Sequence, residues 1–195
     1  MEKSIFLLII LLSTRCCFAQ GLVSFVNSIP GDHLVYFDTV GGLPVVGTNL
    51  VAELYYGLDA NSLTPLPASI SHFRPPTTAS PGTWSGGKDY QLPIGGVGTT
   101  IFLDVKVWDI TLYADYESAI GKPGWIGESG PFTYSQYVTP PGVSGTRMEN
   151  LPPFALSQVP EPTFFALALF GCLGFVRPSG SRPSGSVNGI GILIS

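Results

Sequence analysis

The side chains able to do acid–base or metal chemistry are few and scattered. The two histidines, His33 and His72, stand thirty-nine positions apart, each beside a turn or strand end. Neither falls in an H-E-x-x-H or G-x-S-x-G arrangement, the spacings that place a histidine on a metal or set up a nucleophile, so both read as ordinary surface residues. Asp104, Asp109, Asp115 and Glu117 form the densest acidic group. Glycosidase chemistry needs two carboxyls held about 5 to 9.5 Å apart across a sugar cleft, which spacing along a chain does not establish. Calcium accepts such oxygen ligands, but the Asp-rich loop with its central glycine is missing. The four carboxylates therefore read as a solvated strand end and a helix start. No catalytic residue is assigned, and neither a metal nor a cofactor is expected.

A second constellation is aromatic: Trp84, Trp108 and Trp125, with Tyr55, Tyr56, Tyr90 and Tyr113. Sugar-binding modules use such rings as flat platforms, which makes the three tryptophans candidate glycan contacts. In β-domains, however, aromatic side chains more often fill the core or pair across strands. Thiol chemistry is excluded from the centre of the chain, because Cys16, Cys17 and Cys172 all lie near the ends. The residues between them can form no internal disulfide and no thiolate metal site.

The elements that position these residues are strands. From Gly21 onward, short β-branched and aromatic runs alternate with Gly, Pro, Asn and Asp, the pattern of an all-β antiparallel sandwich of jelly-roll or Ig-like type. Strands are expected at Leu22–Asn27, Leu34–Val40, Leu50–Tyr56, Ile70–Arg74, Thr99–Trp108 and Phe132–Val138. In the fifth, Ile101, Leu103, Val105 and Val107 share one face with period two, and Asp104 and Lys106 take the other, so this strand is expected at the centre of the core. Gly95-Gly96-Val97-Gly98 before it marks a turn. It is no phosphate cradle, because a strand rather than a helix follows. One helical turn is expected within Tyr113–Ile120, stopped by Gly121 and Pro123.

Charge and length bound the function. Of the 195 residues, 45% are hydrophobic and 11% charged, which suggests apolar segments at the ends of an ordinary core. Residues 20–157 hold five basic and eleven acidic side chains, a net charge of −6. The basic residues Arg74, Lys88, Lys106, Lys122 and Arg147 are never neighbours. Nucleic acid is therefore a poor partner, since neutralising phosphates takes clustered Lys and Arg.

Both ends read as addresses. Lys3, the apolar run Ile5–Leu12 and then Cys17-Phe18-Ala19 make a secretory signal, with cleavage expected between Ala19 and Gln20. Eight helical residues span about 12 Å, too little for a hydrocarbon core of roughly 30 Å. At the other end, Val159-Pro160-Glu161-Pro162 is followed by the apolar run Thr163–Val176 and then Arg177. This order resembles the PEP-CTERM sorting signal of Gram-negative-type envelope proteins. The resemblance implies that Pro160, Glu161 and Pro162 are the recognition motif, that 163–176 is a membrane helix, and that Arg177 is the cytoplasmic stop. It also implies a partner, an exosortase-type enzyme that processes the protein at the inner membrane. Lys3 and Arg177 both belong on the cytoplasmic side, which leaves the body outside.

The organisation expected is thus a signal peptide at 1–19, an exported β-domain at 20–157, a sorting signal at 158–177 and a Pro/Ser/Gly tail at 178–195. The function expected is that of a non-enzymatic envelope or matrix protein, exported through the inner membrane, held there by the tail, then sorted to the cell surface or to exopolysaccharide. A carbohydrate-binding module using the tryptophans is the alternative, followed by a secreted hydrolase built on Asp104 or Asp109.

Overall fold

A computed structural model of the chain describes residues 21–95, 98–135 and 145–161. The described residues form eleven strands, one α-helical turn and one 3₁₀ turn. The signal segment with Ala19 and Gln20, and the tail from Pro162 through Arg177, lie outside them. Among the described residues no helix is long and apolar enough to cross a membrane.

The fold is organised around two ten-residue strands, β3 (Leu50–Asp59) and β7 (Thr100–Asp109), paired antiparallel from Leu50↔Asp109 to Gly57↔Phe102. On the free side of β3 lie β4 (Ser62–Pro65) and β5 (Ser71–His72). On the free side of β7, β9 (Phe132–Ser135) covers the first half and β8 (Gly124–Glu128) the second. Beyond β8 come β11 (Phe154–Val159) and β2 (Val35–Phe37), completing an eight-stranded sheet. A second sheet has the order β10 (Thr146–Arg147), β1 (Leu22–Ser24), β6 (Asp89–Gln91).

Period-two alternation builds the core. Ile101, Leu103, Val105 and Val107 are fully buried on one face of β7, against Leu50, Ala52, Leu54 and Tyr56 of β3. Around the smaller sheet, Val23, Phe25, Leu92 and Met148 enter the same core. Two sheets sharing one apolar interior are consistent with a β-sandwich. Both sheets are mixed, however, which corrects the wholly antiparallel expectation: β1 runs parallel to β10, and β2 parallel to β11. Alternation specifies a buried face but not a strand's direction. Direction depends on how the chain returns between segments as distant as Val35 and Phe154.

The expected strands are recovered at β3 and β7 and shortened at β1, β2 and β5; of Phe132–Val138, β9 covers Phe132–Ser135, and residues 136–138 lie outside the described residues. After β2 the chain turns at Asp38, which adopts φ 60°. After β1, Asn27 leaves the ladder and donates from its amide to the carbonyls of His33 and Gly82. Five strands were not expected: β4, β6, β8, β10 and β11. In β8, Gly124 and Gly127 resemble turn residues, yet Gly127 is where β8 approaches β11. A Cβ there would stand 2.9 Å from the Ala155 carbonyl oxygen and 2.8 Å from Leu156 Cδ2. The turn before β7 is present, with Gly95 at φ 70° and Gly98 at φ 76°; Gly96 and Val97 lie outside the described residues. β11 runs to Val159, so the sheet continues two residues beyond Ser157.

Candidate functional site

Behind the main core, the second face of the β3–β7 pair is polar and yet covered. Register places Glu53 opposite Lys106, Tyr55 opposite Asp104, and Lys106 opposite Glu128 of β8. Glu53 and Asp104 are each 3% exposed. The cover is α1 (Tyr116–Ala119), the helical turn expected between Tyr113 and Ile120. Its Tyr116 and Ala119 pack on Val51 and Trp108 in a small second core. Asp115 caps it, accepting a hydrogen bond from the Ser118 backbone N–H at 2.7 Å. A side-chain cap on so short a helix satisfies one of the few donors holding it together. We expect Asp115→Ala to cost about 1 kcal/mol and to speed amide exchange at Ser118. Unchanged exchange there would show that the cap is dispensable.

The helical turn and the sheet are tied by two tyrosines. The Tyr55 hydroxyl donates to Glu117 Oε1 at 2.8 Å, and the Tyr116 hydroxyl donates to Glu128 Oε2 at 3.3 Å. Between their rings sits the Lys106 ammonium, 4.4 Å from the Tyr55 centroid and 4.7 Å from that of Tyr116. Its nitrogen is 3.8 Å from Glu128 Oε2. Ring faces attract a cation, most strongly where water is excluded. Burial, helped by the adjacent carboxylates, raises both phenols above their ordinary range.

Glu53 is the most perturbed carboxyl of this layer. Burial, then the negative charge of Glu117, pushes it up to about 7, with the Tyr55 hydroxyl offsetting part of the rise. Asp104 is also raised by burial, against the stabilising hydrogen bond it accepts from Ser129 Oγ at 2.9 Å. Glu53 and Tyr55 open into a pocket of about 320 Å³ whose apolar wall includes Pro65, Pro67 and Ile70 and whose acidic members include Asp115 and Glu117. Both of these acidic residues are exposed.

Of the residues singled out from the sequence, the structure brings Asp104, Asp115, Glu117, Tyr55 and Trp108 to this face. Asp109 falls on the opposite parity of β7, where its carboxylate accepts from the Asn49 amide and from the backbone and hydroxyl of Thr111. His33 bonds the Leu151 carbonyl through Nδ1 at 2.6 Å, and His72 bonds that of Thr48 at 2.7 Å. Asp104, Asp109 and a histidine thus do not share a cleft. Among the described residues no three His, Cys, Asp or Glu side chains are placed to hold a metal ion.

The tryptophans require a correction. Trp84 is 1% exposed, packed against Phe25 and Phe73, and its indole N–H donates to the Phe25 carbonyl. Trp108 is fully buried against Tyr116 and donates to the Tyr113 carbonyl. Neither offers a ring face to a sugar. Trp125 is half-buried and packs against Phe37 with the ring centroids 4.7 Å apart and the planes tilted by 60°. Large rings are the cheapest way for a body without disulfides to bury area, so the interior claims Trp84 and Trp108.

Sequence reasoning did not single out Glu53, Lys106, Tyr116 and Glu128 as site residues. One signal was available, since Glu53 interrupts the otherwise apolar and aromatic run Leu50-Val51-Ala52-Glu53-Leu54-Tyr55-Tyr56. A charge within a strand buried on both faces marks a polar layer.

At the far end of β11, Val159 pairs with Gly124 and is half-buried, while Pro160 and Glu161 are exposed. Pro160 has no N–H to continue the ladder, and Pro123 precedes the partner residue, so pairing stops there on both strands. Pro162 and Arg177 lie outside the described residues.

The fold and this face define a mostly β protein in two mixed sheets with a buried polar layer behind its central strand pair. No protein-family model matches the chain, and no match was found among curated proteins or among solved structures.

Proposed function

We propose that the chain is an exported, non-enzymatic protein of the cell envelope or extracellular matrix, whose β-sandwich body is delivered by a C-terminal sorting signal. The observation that carries this reading is the order of Val159-Pro160-Glu161-Pro162, an apolar run and Arg177, which begins on the final residue of the last described strand. Pro160 and Glu161 are exposed where β11 ends, which supports the reading because a processing enzyme needs the motif outside the sheet. The partners are an exosortase-type enzyme, the inner membrane during transit, and exopolysaccharide at the destination. The acidic body, at −6 over residues 20–157, suits an exported protein that must stay dispersed.

Fractionation of tagged protein from hosts with and without an exosortase tests the proposal. Wild type should be processed in the first host and remain a membrane-bound precursor in the second. Glu161→Ala should leave that precursor in both, since the apolar run is untouched and the recognition element is lost. Identical products from wild type and variant in both hosts would reduce residues 159–177 to a plain anchor.

A further inference from the structure

Exposed apolar side chains are gathered at one end of the eight-stranded sheet. Among the described residues the large ones are Val40, Leu43, Leu58, Leu112 and Ile120, between 53% and 76% exposed. Cross-strand register fixes where each lies. β11 ends at Val159, which pairs with Gly124 at the start of β8, and antiparallel pairing then puts the end of β7 and the start of β3 at the same end. Leu112 stands there, since a Cβ on Gly124 would come within 3.2 Å of its Cδ1. The loop that carries Ile120 is tied to the Leu112 loop where the Tyr113 hydroxyl donates to the Pro123 carbonyl at 2.9 Å. On the other side of β11, β2 runs parallel to it, so the turn after Phe37, with Val40 and Leu43, leads to this end too. The Asp38 N–H holds that turn by donating to the Leu156 carbonyl at 2.8 Å. Leu58 alone lies at the opposite end, beside the β3–β4 turn.

Isolated apolar residues are ordinary on a protein surface, but four of these five at one end of a sheet call for something apolar to cover them. The chain itself supplies the candidate. β11 leaves the sheet at Val159, and an apolar run of fourteen residues, 163–176, begins four positions on. Four residues span at most about 14 Å. On the reading that this run anchors the chain, on which the inference rests, Val159 and the residues around it are therefore held at the bilayer surface. Fourteen residues also fall short of the about twenty that span a hydrocarbon core, so a second apolar contact adds binding that the run alone lacks. The exposed charges of the segments at this end are Asp38, Lys122 and Glu161, too few and too mixed in sign to select a headgroup. We propose that this end of the body is a membrane-seating surface, with Val40, Leu43, Leu112 and Ile120 entering the interfacial layer of the bilayer that holds the chain.

Full-length chain purified from an exporting host without an exosortase, and reconstituted into phosphatidylcholine vesicles, tests this. Leu112→Trp and Leu43→Trp each add one tryptophan at this end, and Leu58→Trp adds one at the other; all three replace exposed residues and spare the core. In vesicles made instead with dibrominated phosphatidylcholine, the emission that the first two add over wild type should be largely lost, because bromine quenches only an indole in contact with the acyl layer. The emission added by Leu58→Trp should survive. Flotation with the vesicles separates the two failures. Wild type that floats while Leu112→Trp and Leu43→Trp stay bright overturns the seating surface and leaves the anchor standing, whereas wild type that does not float removes the anchor and this surface with it. Equal quenching of Leu58→Trp would overturn the proposal as well. So would a Leu112→Trp emission that shifts to the blue with protein density in the vesicles and ignores bromine, since that result places a second copy of the chain on this end.

Discussion

Trp84→Ala should destabilise the protein by about 3–5 kcal/mol, a large share of the roughly 5–15 kcal/mol that holds a domain of this size together. The ring is 1% exposed and lies 4.9 Å from the Phe25 ring and 6.0 Å from the Phe73 ring, so its removal leaves a cavity bounded by two aromatic faces. The substitution also removes the donor from the indole to the Phe25 carbonyl, leaving a buried acceptor without that partner. Trp84→Phe keeps most of the volume and loses only the outer ring and the donor, so it should cost less. Urea unfolding of both variants followed by circular dichroism measures the difference. A loss below about 1 kcal/mol for Trp84→Ala would mean that the side chain is not in the core, and would return it to the surface as a ligand contact.

Glu53 should make the protein less stable as pH rises through neutrality. Its carboxyl titrates near 4.5 when unfolded and at about 7 when folded, so the folded state holds its proton more tightly. Below about pH 4.5 the group is neutral in both states and contributes nothing. Between there and about pH 7 the unfolded chain ionises first and stability falls, by an amount on the order of 3 kcal/mol once both states are charged. The raised Asp104 adds to the slope in the same direction. Glu53→Gln removes the charge and keeps the shape. It should therefore match wild type near pH 4.5 and exceed it increasingly up to pH 8, a difference that cancels the acid sensitivity of every other carboxylate. Parallel stability curves for the two proteins across that range would show that Glu53 ionises freely and that the polar layer is not closed.

These two residues mark what alternation shows and what it conceals. Ile101, Leu103, Val105 and Val107 could be assigned to one buried face from sequence, because a strand's side chains alternate strictly and four β-branched or leucine positions in step have no other use. The same alternation placed Asp104 and Lys106 on the other face of β7, but it could not say that this face is covered. The cover is α1, which meets β7 through Trp108 and Tyr116, contacts that no local pattern encodes. A helical turn within Tyr113–Ile120 and Gly95 and Gly98 as turn residues were legible because their signals are local. β8 and β11 were not legible, since the glycines of β8 and the prolines flanking both strands resemble loop composition. Only their pairing on each other and on β7 makes strands of them.

The amino-acid sequence by itself determined the mostly β character, a central strand expected at Thr99–Trp108 and found at Thr100–Asp109, the acidic and cysteine-free body, and the order of residues from Val159 to Arg177. Each depends on composition or on neighbours within a few positions. The tertiary structure alone decided that Trp84 and Trp108 are interior and that Glu53 lies beside Glu117 with a single tyrosine proton between them. Those outcomes depend on which distant segments meet, and burial, pairing and proton affinity are properties of the meeting rather than of the residues.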